Sequence, residues 1–142
     1  MRYKSQTGSP RRRRWDLLKV GTDTYLTLSE ADGLLTGRSG GESWMMFHDA
    51  QKEDRLKRAA QHLEALHYAG RKHSIFQDMA FPRDLSRSIP VNIKLAQALE
   101  ALALPDTAGA QNPGEPAREP TMYSMEAASL LRPYLLGSHR PG

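Results

Sequence analysis

The sequence has no cysteine, no long apolar run and few aromatic side chains. The absence of cysteine from its 142 residues excludes disulfide bridges, thiolate metal sites and cysteine catalysis. No apolar run approaches the roughly 18 residues that a membrane span needs, so we expect no membrane partner. Hydrophobic residues make up 39% of the chain and aromatic residues 7%, which predicts one small core with tails.

Positive charge is concentrated at the beginning of the chain. The formal net charge is +4, and residues 1–19 hold seven Lys or Arg against Asp16 alone. That segment therefore carries +6, and the rest of the chain carries −2. We interpret the consecutive cations as contacts to DNA phosphates or to an acidic protein surface, with a solubilising tail as the alternative. These residues are Arg11, Arg12, Arg13 and Arg14.

Two segments in the first half of the chain have helical signals. Thr27 and Glu30 have the spacing of a capping box, which predicts a short helix over 28–36. A second helix is predicted from Asp49 to about residue 67, and the run 44–47 before it is predicted to cover the core. Its apolar stripe consists of Leu56, Ala59, Ala60, Leu63 and Leu66.

Two further helical segments follow a long irregular loop over 70–89. Pro90 suits the first turn of a third helix, which ends at Pro105. A short helical element over 125–136 is interrupted at Pro133. The predicted stripe of the third helix consists of Val91, Leu95, Ala98, Leu99 and Leu102.

Together these signals predict a mainly α protein. The expected fold is a small helical bundle of three to four helices with a long loop, an extended N-terminal arm and a C-terminal tethered helix. Residues 105–120 contain four prolines and no large apolar side chain, which is typical of a linker. We divide the chain into a basic arm (1–23), a helical body (24–104), the linker (105–120) and a docking segment (121–142), which binds its own body or a neighbour.

Motifs for catalysis or cofactor binding are not found in the sequence. His62 and His67 are five residues apart, too far round a helix to share a metal ion. The glycine-rich run 37–41 lacks the Gly-Lys-Ser/Thr ending of a phosphate-binding loop, and no Gly-x-Ser-x-Gly motif occurs. We therefore expect a binding or structural protein, not an enzyme, with no catalytic residues, metal or cofactor.

The order of several short motifs resembles one protein family. The run Thr24–Asp32 is followed by Trp44, the long helix and the run Tyr68–Arg71. Then come Phe81-Pro82-Arg83, Ile89-Pro90, an Ala/Leu-rich helix and Leu130-Leu131-Arg132-Pro133-Tyr134-Leu135. In this order and spacing, residues 24–104 and the terminal element resemble the head–tail connector adaptor family of tailed bacteriophages. The arginine-rich arm is additional to the family pattern, and Tyr68-Ala69-Gly70 replaces a common Trp-Gly.

The resemblance implies a structural protein of the virion. Such adaptors form a ring, commonly of twelve copies, beneath the portal, where they extend the DNA channel and provide a platform for neck or tail attachment. The implied partners are the portal protein, a head-closure or tail-terminator protein, other copies of the chain and the double-stranded DNA in the channel. The implied location is the capsid–tail junction, after assembly in the host cytoplasm. The implied subunit and portal interface consists of Phe81, Pro82, Arg83, Leu131, Arg132, Tyr134 and Leu135.

The alternative is single-stranded DNA binding, because part of the same family is labelled DnaT-like single-stranded DNA-binding protein. That function usually combines a basic groove with exposed stacking aromatics. Outside residues 1–19 the chain carries −2, which favours the structural role.

Overall fold

A computed structural model describes residues 18–105 and 122–137. The arginine run 11–14 and most of the predicted linker lie outside these ranges. The described residues form five α-helices, which confirms the mainly helical class. They are α1 (Leu28–Leu35), α2 (Gly41–Met46), α3 (Asp49–Glu64), α4 (Val91–Ala103) and α5 (Met125–Leu131), followed by a 3-10 turn over Arg132–Tyr134.

Helix α1 begins with the predicted capping box. The Thr27 hydroxyl accepts from the Glu30 amide at 3.1 Å, and the Glu30 carboxylate accepts from the Thr27 amide at 2.8 Å. The Lys94 ammonium donates to the same carboxylate at 2.9 Å, which links α1 to α4. This hydrogen bond from Lys94, followed by the one from the Thr27 amide, lowers the pKa of Glu30.

Helix α2 was not predicted from the sequence, and it changes the role of the run before α3. Trp44 is buried, as expected, and its indole N–H donates to Asp32 at 2.8 Å. The expectation that Met45 and Met46 cover the core is wrong, because both are exposed. Residues one and two positions after Trp44 are rotated about 100° and 200° around the helix from it, so they lie away from the face that Trp44 buries.

Helix α4 lies at the centre of the fold and packs against α1, α3 and α5. The α3 stripe of Leu56, Ala59, Ala60 and Leu63 is buried as predicted, and Leu66 is half-buried. The α4 prediction is wrong at Val91, which is exposed. Because α4 is covered on several sides, its buried set is wider than one stripe. That set includes Ile93, Ala96, Gln97, Ala98, Leu99, Glu100 and Ala101.

Buried polar side chains of α3 and α4 hold neighbouring segments in place. The Gln97 amide accepts from the Tyr25 backbone N–H at 2.8 Å and donates to the Thr24 hydroxyl and the Leu56 carbonyl. The Arg55 guanidinium donates to the carbonyls of Ala101, Leu102 and Leu104 at the C-terminal end of α4. These carbonyls have no partner within their own helix, so Arg55 caps α4.

The C-terminal segment packs on the body of its own chain. Helix α5 contacts α4, and Ala127 and Leu131 are fully buried. At the end of the 3-10 turn the Ala69 amide donates to the Tyr134 carbonyl, and beyond it the Leu136 amide donates to the His67 carbonyl, both at 2.9 Å. These two bonds form an antiparallel bridge between Tyr68 and Leu135. Within the described ranges, no helix is long and apolar enough to span a membrane.

The packing of α5 predicts a difference between two leucines of the C-terminal segment. Leu131→Ala should lower the free energy of unfolding by about 2–5 kcal/mol, because it leaves a cavity in the core. Leu136 is 67% exposed, so Leu136→Ala should change stability by less than about 0.5 kcal/mol. Urea denaturation of both variants measures the difference. Equal, small effects would contradict the integration of α5 into the core.

Candidate assembly site

Phe81 packs among aromatic rings from three distant segments. Its ring makes edge-to-face contacts with Tyr25, Tyr68 and Tyr134, at centroid distances of 5.9, 4.8 and 5.5 Å. Phe81 is itself only 3% exposed, and the peptide bond to Pro82 is cis. Phe81 therefore joins the segment before α1, the chain after α3 and the C-terminal segment.

Two of the hydroxyl groups around Phe81 are held by the end of α3: that of Tyr25 by Glu64, and that of Tyr68 by the Leu63 carbonyl at 2.7 Å. The Tyr25 hydroxyl donates to the Glu64 carboxylate, whose other oxygen accepts from the Ala80 amide at 3.0 Å. The pKa of Tyr25 is raised by burial and then by the bond to Glu64. Burial, followed by the nearby Glu64 charge, also raises the pKa of Tyr68. Both hydroxyls therefore keep their protons well beyond neutral pH and remain donors.

A hairpin-like loop extends from the C-terminal end of α3. The His73 amide donates to the Pro82 carbonyl at 3.0 Å, and the Asp84 amide donates to the Arg71 carbonyl at 2.7 Å. The Arg83 guanidinium donates to the carbonyls of Tyr68, Ala69, Gly70 and Ala80. We call residues 71–84 the hairpin. Its base is fixed to the body by Phe81 and Arg83.

The tip of the hairpin is apolar and exposed. Ile75 and Phe76 are both 87% exposed, and Leu85, just beyond the hairpin, is 95% exposed. We call Ile75 and Phe76 the tip patch, whereas Leu85 follows the base of the hairpin. The Gln77 side chain orders the turn, because it accepts from the Ser74 amide and donates to the carbonyls of Met79 and Pro82. The exposed apolar groups are thus carried on a hydrogen-bonded support.

The start of the C-terminal segment is bound by a buried carboxylate. Glu100, fully buried on α4, accepts from the backbone N–H groups of Tyr123 and Ser124 at 2.9–3.0 Å. His62 Nδ1 lies 2.6 Å from the same carboxylate, and the Tyr123 ring stacks on the His62 imidazole. Ser124 then caps α5 by accepting from the Ala127 amide. The docking segment is therefore attached at both ends, by Glu100 and by the Tyr68–Leu135 bridge.

The two groups of predicted interface residues lie close together. Phe81 contacts Tyr134, and the residues that line one groove include Phe81, Arg83, Pro133 and Tyr134. Phe81 and Leu131 are buried within their own chain, and Arg132 is exposed. The remaining members, Pro82, Arg83, Tyr134 and Leu135, are half-buried. Their role between subunits stays a prediction, as does that of Arg11–Arg14 outside the described ranges.

Sequence reasoning missed the tip patch and the Glu100 anchor. The tip patch had a signal, because two adjacent large apolar residues stood in an irregular loop between Ser74 and Gln77. Glu100 had none, because a glutamate within a helical stripe is usually solvated. Among the described residues, no group of three or more His, Asp or Glu is arranged to hold a metal ion.

The anchor predicts a large effect of a nearly isosteric change. Glu100→Gln should lower the free energy of unfolding by about 2–3 kcal/mol, because the backbone N–H groups of Tyr123 and Ser124 lose a charged acceptor that lies in the core. Glu126 pairs with Arg38 at the surface, so Glu126→Gln should cost less than about 1 kcal/mol. Thermal and urea unfolding of both variants provide the measurement. A Glu100→Gln protein as stable as the Glu126→Gln control would contradict the anchor.

A comparison with protein families identifies the body of the chain. The family model described as "Putative DnaT-like ssDNA binding protein" matches residues 17–121, well over half of the chain. No curated protein and no solved structure matches the chain. The match covers α1 to α4 and the hairpin, and it ends before α5. The chain therefore belongs to the family described as "Putative DnaT-like ssDNA binding protein".

Proposed function

We propose that the chain is a structural adaptor of a tailed-bacteriophage particle and not an enzyme. In this proposal its copies form a ring, commonly of twelve, beneath the portal protein. The ring extends the channel for double-stranded DNA and presents a platform to a head-closure, tail-terminator or neck protein. The order of motifs over 24–104 and 130–135 supports this role, as it resembles the head–tail connector adaptors.

The observation that carries the proposal is the tip patch. Ile75 and Phe76 are solvent-exposed on a hydrogen-bonded turn. Exposed apolar patches of this kind usually mark an interaction site. The hairpin base is anchored by Phe81 and Arg83, so the tip projects from a supported structure. Such a feature suits contact between subunits of an assembly.

The charge of the body also supports a structural role. Residues 18–105 contain 11 Lys or Arg and 11 Asp or Glu, and residues 122–137 contain one of each. Several cations serve the fold itself: Lys52 pairs with Asp32, Arg55 caps α4 and Arg83 binds loop carbonyls. The strong positive charge is confined to the arm, where Arg11–Arg14 would meet channel DNA or an acidic neighbour.

The location of the chain in the virus particle tests the proposal. Immunogold labelling or cryo-electron microscopy of particles should place the chain at the capsid–tail junction. Phe76→Asp should lower its incorporation without lowering its unfolding midpoint, because Phe76 has almost no contact in its own chain. Met125→Asp is the matched control, since Met125 is 82% exposed and belongs to α5. Absence of the chain from particles, or a position away from the junction, would refute the adaptor role.

Single-stranded DNA binding is the second candidate function. The family description names it, and one structural feature favours it: the exposed Phe76 ring lies on the same hairpin as Lys72 and Arg71. A base can stack on an exposed aromatic ring while nearby cations bind phosphates. This candidate requires Phe76 for binding, whereas the adaptor proposal assigns DNA contact to the arm.

A titration with fluorescent oligonucleotides at several salt concentrations separates the two functions. The adaptor proposal predicts weak, salt-sensitive binding, similar for single and double strands. It also predicts that replacing Arg11–Arg14 with alanine abolishes this binding and that Phe76→Ala leaves it unchanged. A strong preference for single strands that is lost in Phe76→Ala would establish the DNA-binding function instead.

A further inference from the structure

Two exposed apolar patches lie at opposite ends of α3. The tip patch follows its C-terminal end. Met45 and Met46 immediately precede its N-terminal end, and they are 51% and 82% exposed. With the half-buried Phe47 they form what we call the corner patch. A groove lined by Phe47, Ala50, Gln51, Asp54, Arg55 and Arg58 opens beside it.

The base of the hairpin and the corner patch are held at different ends of α3. Helix α3 has 16 residues, which gives it a length of about 24 Å at 1.5 Å per residue. The base of the hairpin is fixed at the C-terminal end of α3, because Glu64 binds the Ala80 amide and Arg83 binds the carbonyls of residues 68–70.

The charges around the two patches are complementary. Exposed cations lie on the hairpin: Lys72 Nζ lies 3.5 Å from the Gln77 carbonyl, and Arg71 precedes it in the chain. The exposed carboxylate of the hairpin, Asp78, accepts from the Thr22 hydroxyl.

Exposed carboxylates border the corner patch, Glu42 in the first turn of α2 and Asp49 in the first turn of α3. The cations at the corner are already paired or buried: Lys52 pairs with Asp32, and Arg58 pairs with Asp54. Arg55 is buried against the Phe47 ring.

We propose that the tip patch of one copy docks on the corner patch of the next copy, with Lys72 facing Asp49. The contact joins two different surfaces, so it is heterologous, and repeated contacts of this kind close into a ring when the rotation permits. Flexible methionine side chains suit the corner, because they adapt to the shape of an inserted aromatic ring. The inference deepens the proposed function and rests on the self-assembly that it assumes.

The cysteine-free chain allows a direct crosslinking test. Full-length Phe76→Cys and Met46→Cys chains, carrying tags of different size, are mixed at high concentration and oxidised mildly. If the contact is head-to-tail, the yield of the mixed Phe76→Cys/Met46→Cys disulfide should exceed the yield of either same-variant disulfide. Ser39→Cys replaces Met46→Cys in the control, since Ser39 is exposed between α1 and α2, outside the corner patch. Lys72→Glu should suppress the mixed product, and Asp49→Lys in the partner chain should restore it.

Each other outcome overturns the inference. A dominant Phe76→Cys homodimer would show a tip-to-tip contact, and equal yields with Ser39→Cys would show random collision. A chain that stays monomeric and uncrosslinked at the highest concentration has no such contact between its copies. The adaptor role has a separate test, because a chain found at the capsid–tail junction without this crosslink remains an adaptor assembled through other surfaces.

Discussion

The packing of Phe81 among Tyr25, Tyr68 and Tyr134 holds three distant segments of the chain together. The three tyrosines come from chain segments that no single helix connects, so local propensity cannot bring them together. One buried ring contacts all of them, and Glu64 fixes the Tyr25 hydroxyl and the Ala80 amide. The entry to α1, the exit of α3 and the C-terminal segment are thereby joined at one point. In physical terms, the body and the docking segment form one packed unit.

This packing gives the hairpin two different properties. Its base belongs to the core through Phe81 and Arg83, whereas its tip at Ile75 and Phe76 is exposed. A loop without such a base would lose much conformational entropy on binding a partner, and a supported one loses less. The same support serves either candidate function, since both a neighbouring subunit and a nucleic-acid base require a positioned aromatic ring. The balanced charge of the described body and the position of Arg11–Arg14 favour the first.

The sequence predicted the local elements of the fold well and its long-range contacts poorly. The Thr27–Glu30 capping box and the α3 stripe depend on spacing along the chain, and both are confirmed. Helix α2 has only six residues, three glycines precede Trp44, and periodicity cannot identify so short a helix. The buried face of α4 and the role of Glu100 depend on α5, which lies more than 20 residues away. The order of the motifs singled out Phe81 and Tyr134, but only the structure shows that their rings are in contact.

Amide hydrogen exchange of the full chain tests this account most directly. Three amides report on the docking segment. The Leu136 amide is bonded to the His67 carbonyl, and the Tyr123 and Ser124 amides are bonded to Glu100. The account predicts that they open with the same free energy as amides at the centres of α3 and α4, and that Phe81→Ala lowers protection in all of them together. Exchange of these three amides at unprotected rates, while α3 and α4 stay protected, would contradict the account, because the docking segment would then detach without unfolding the core.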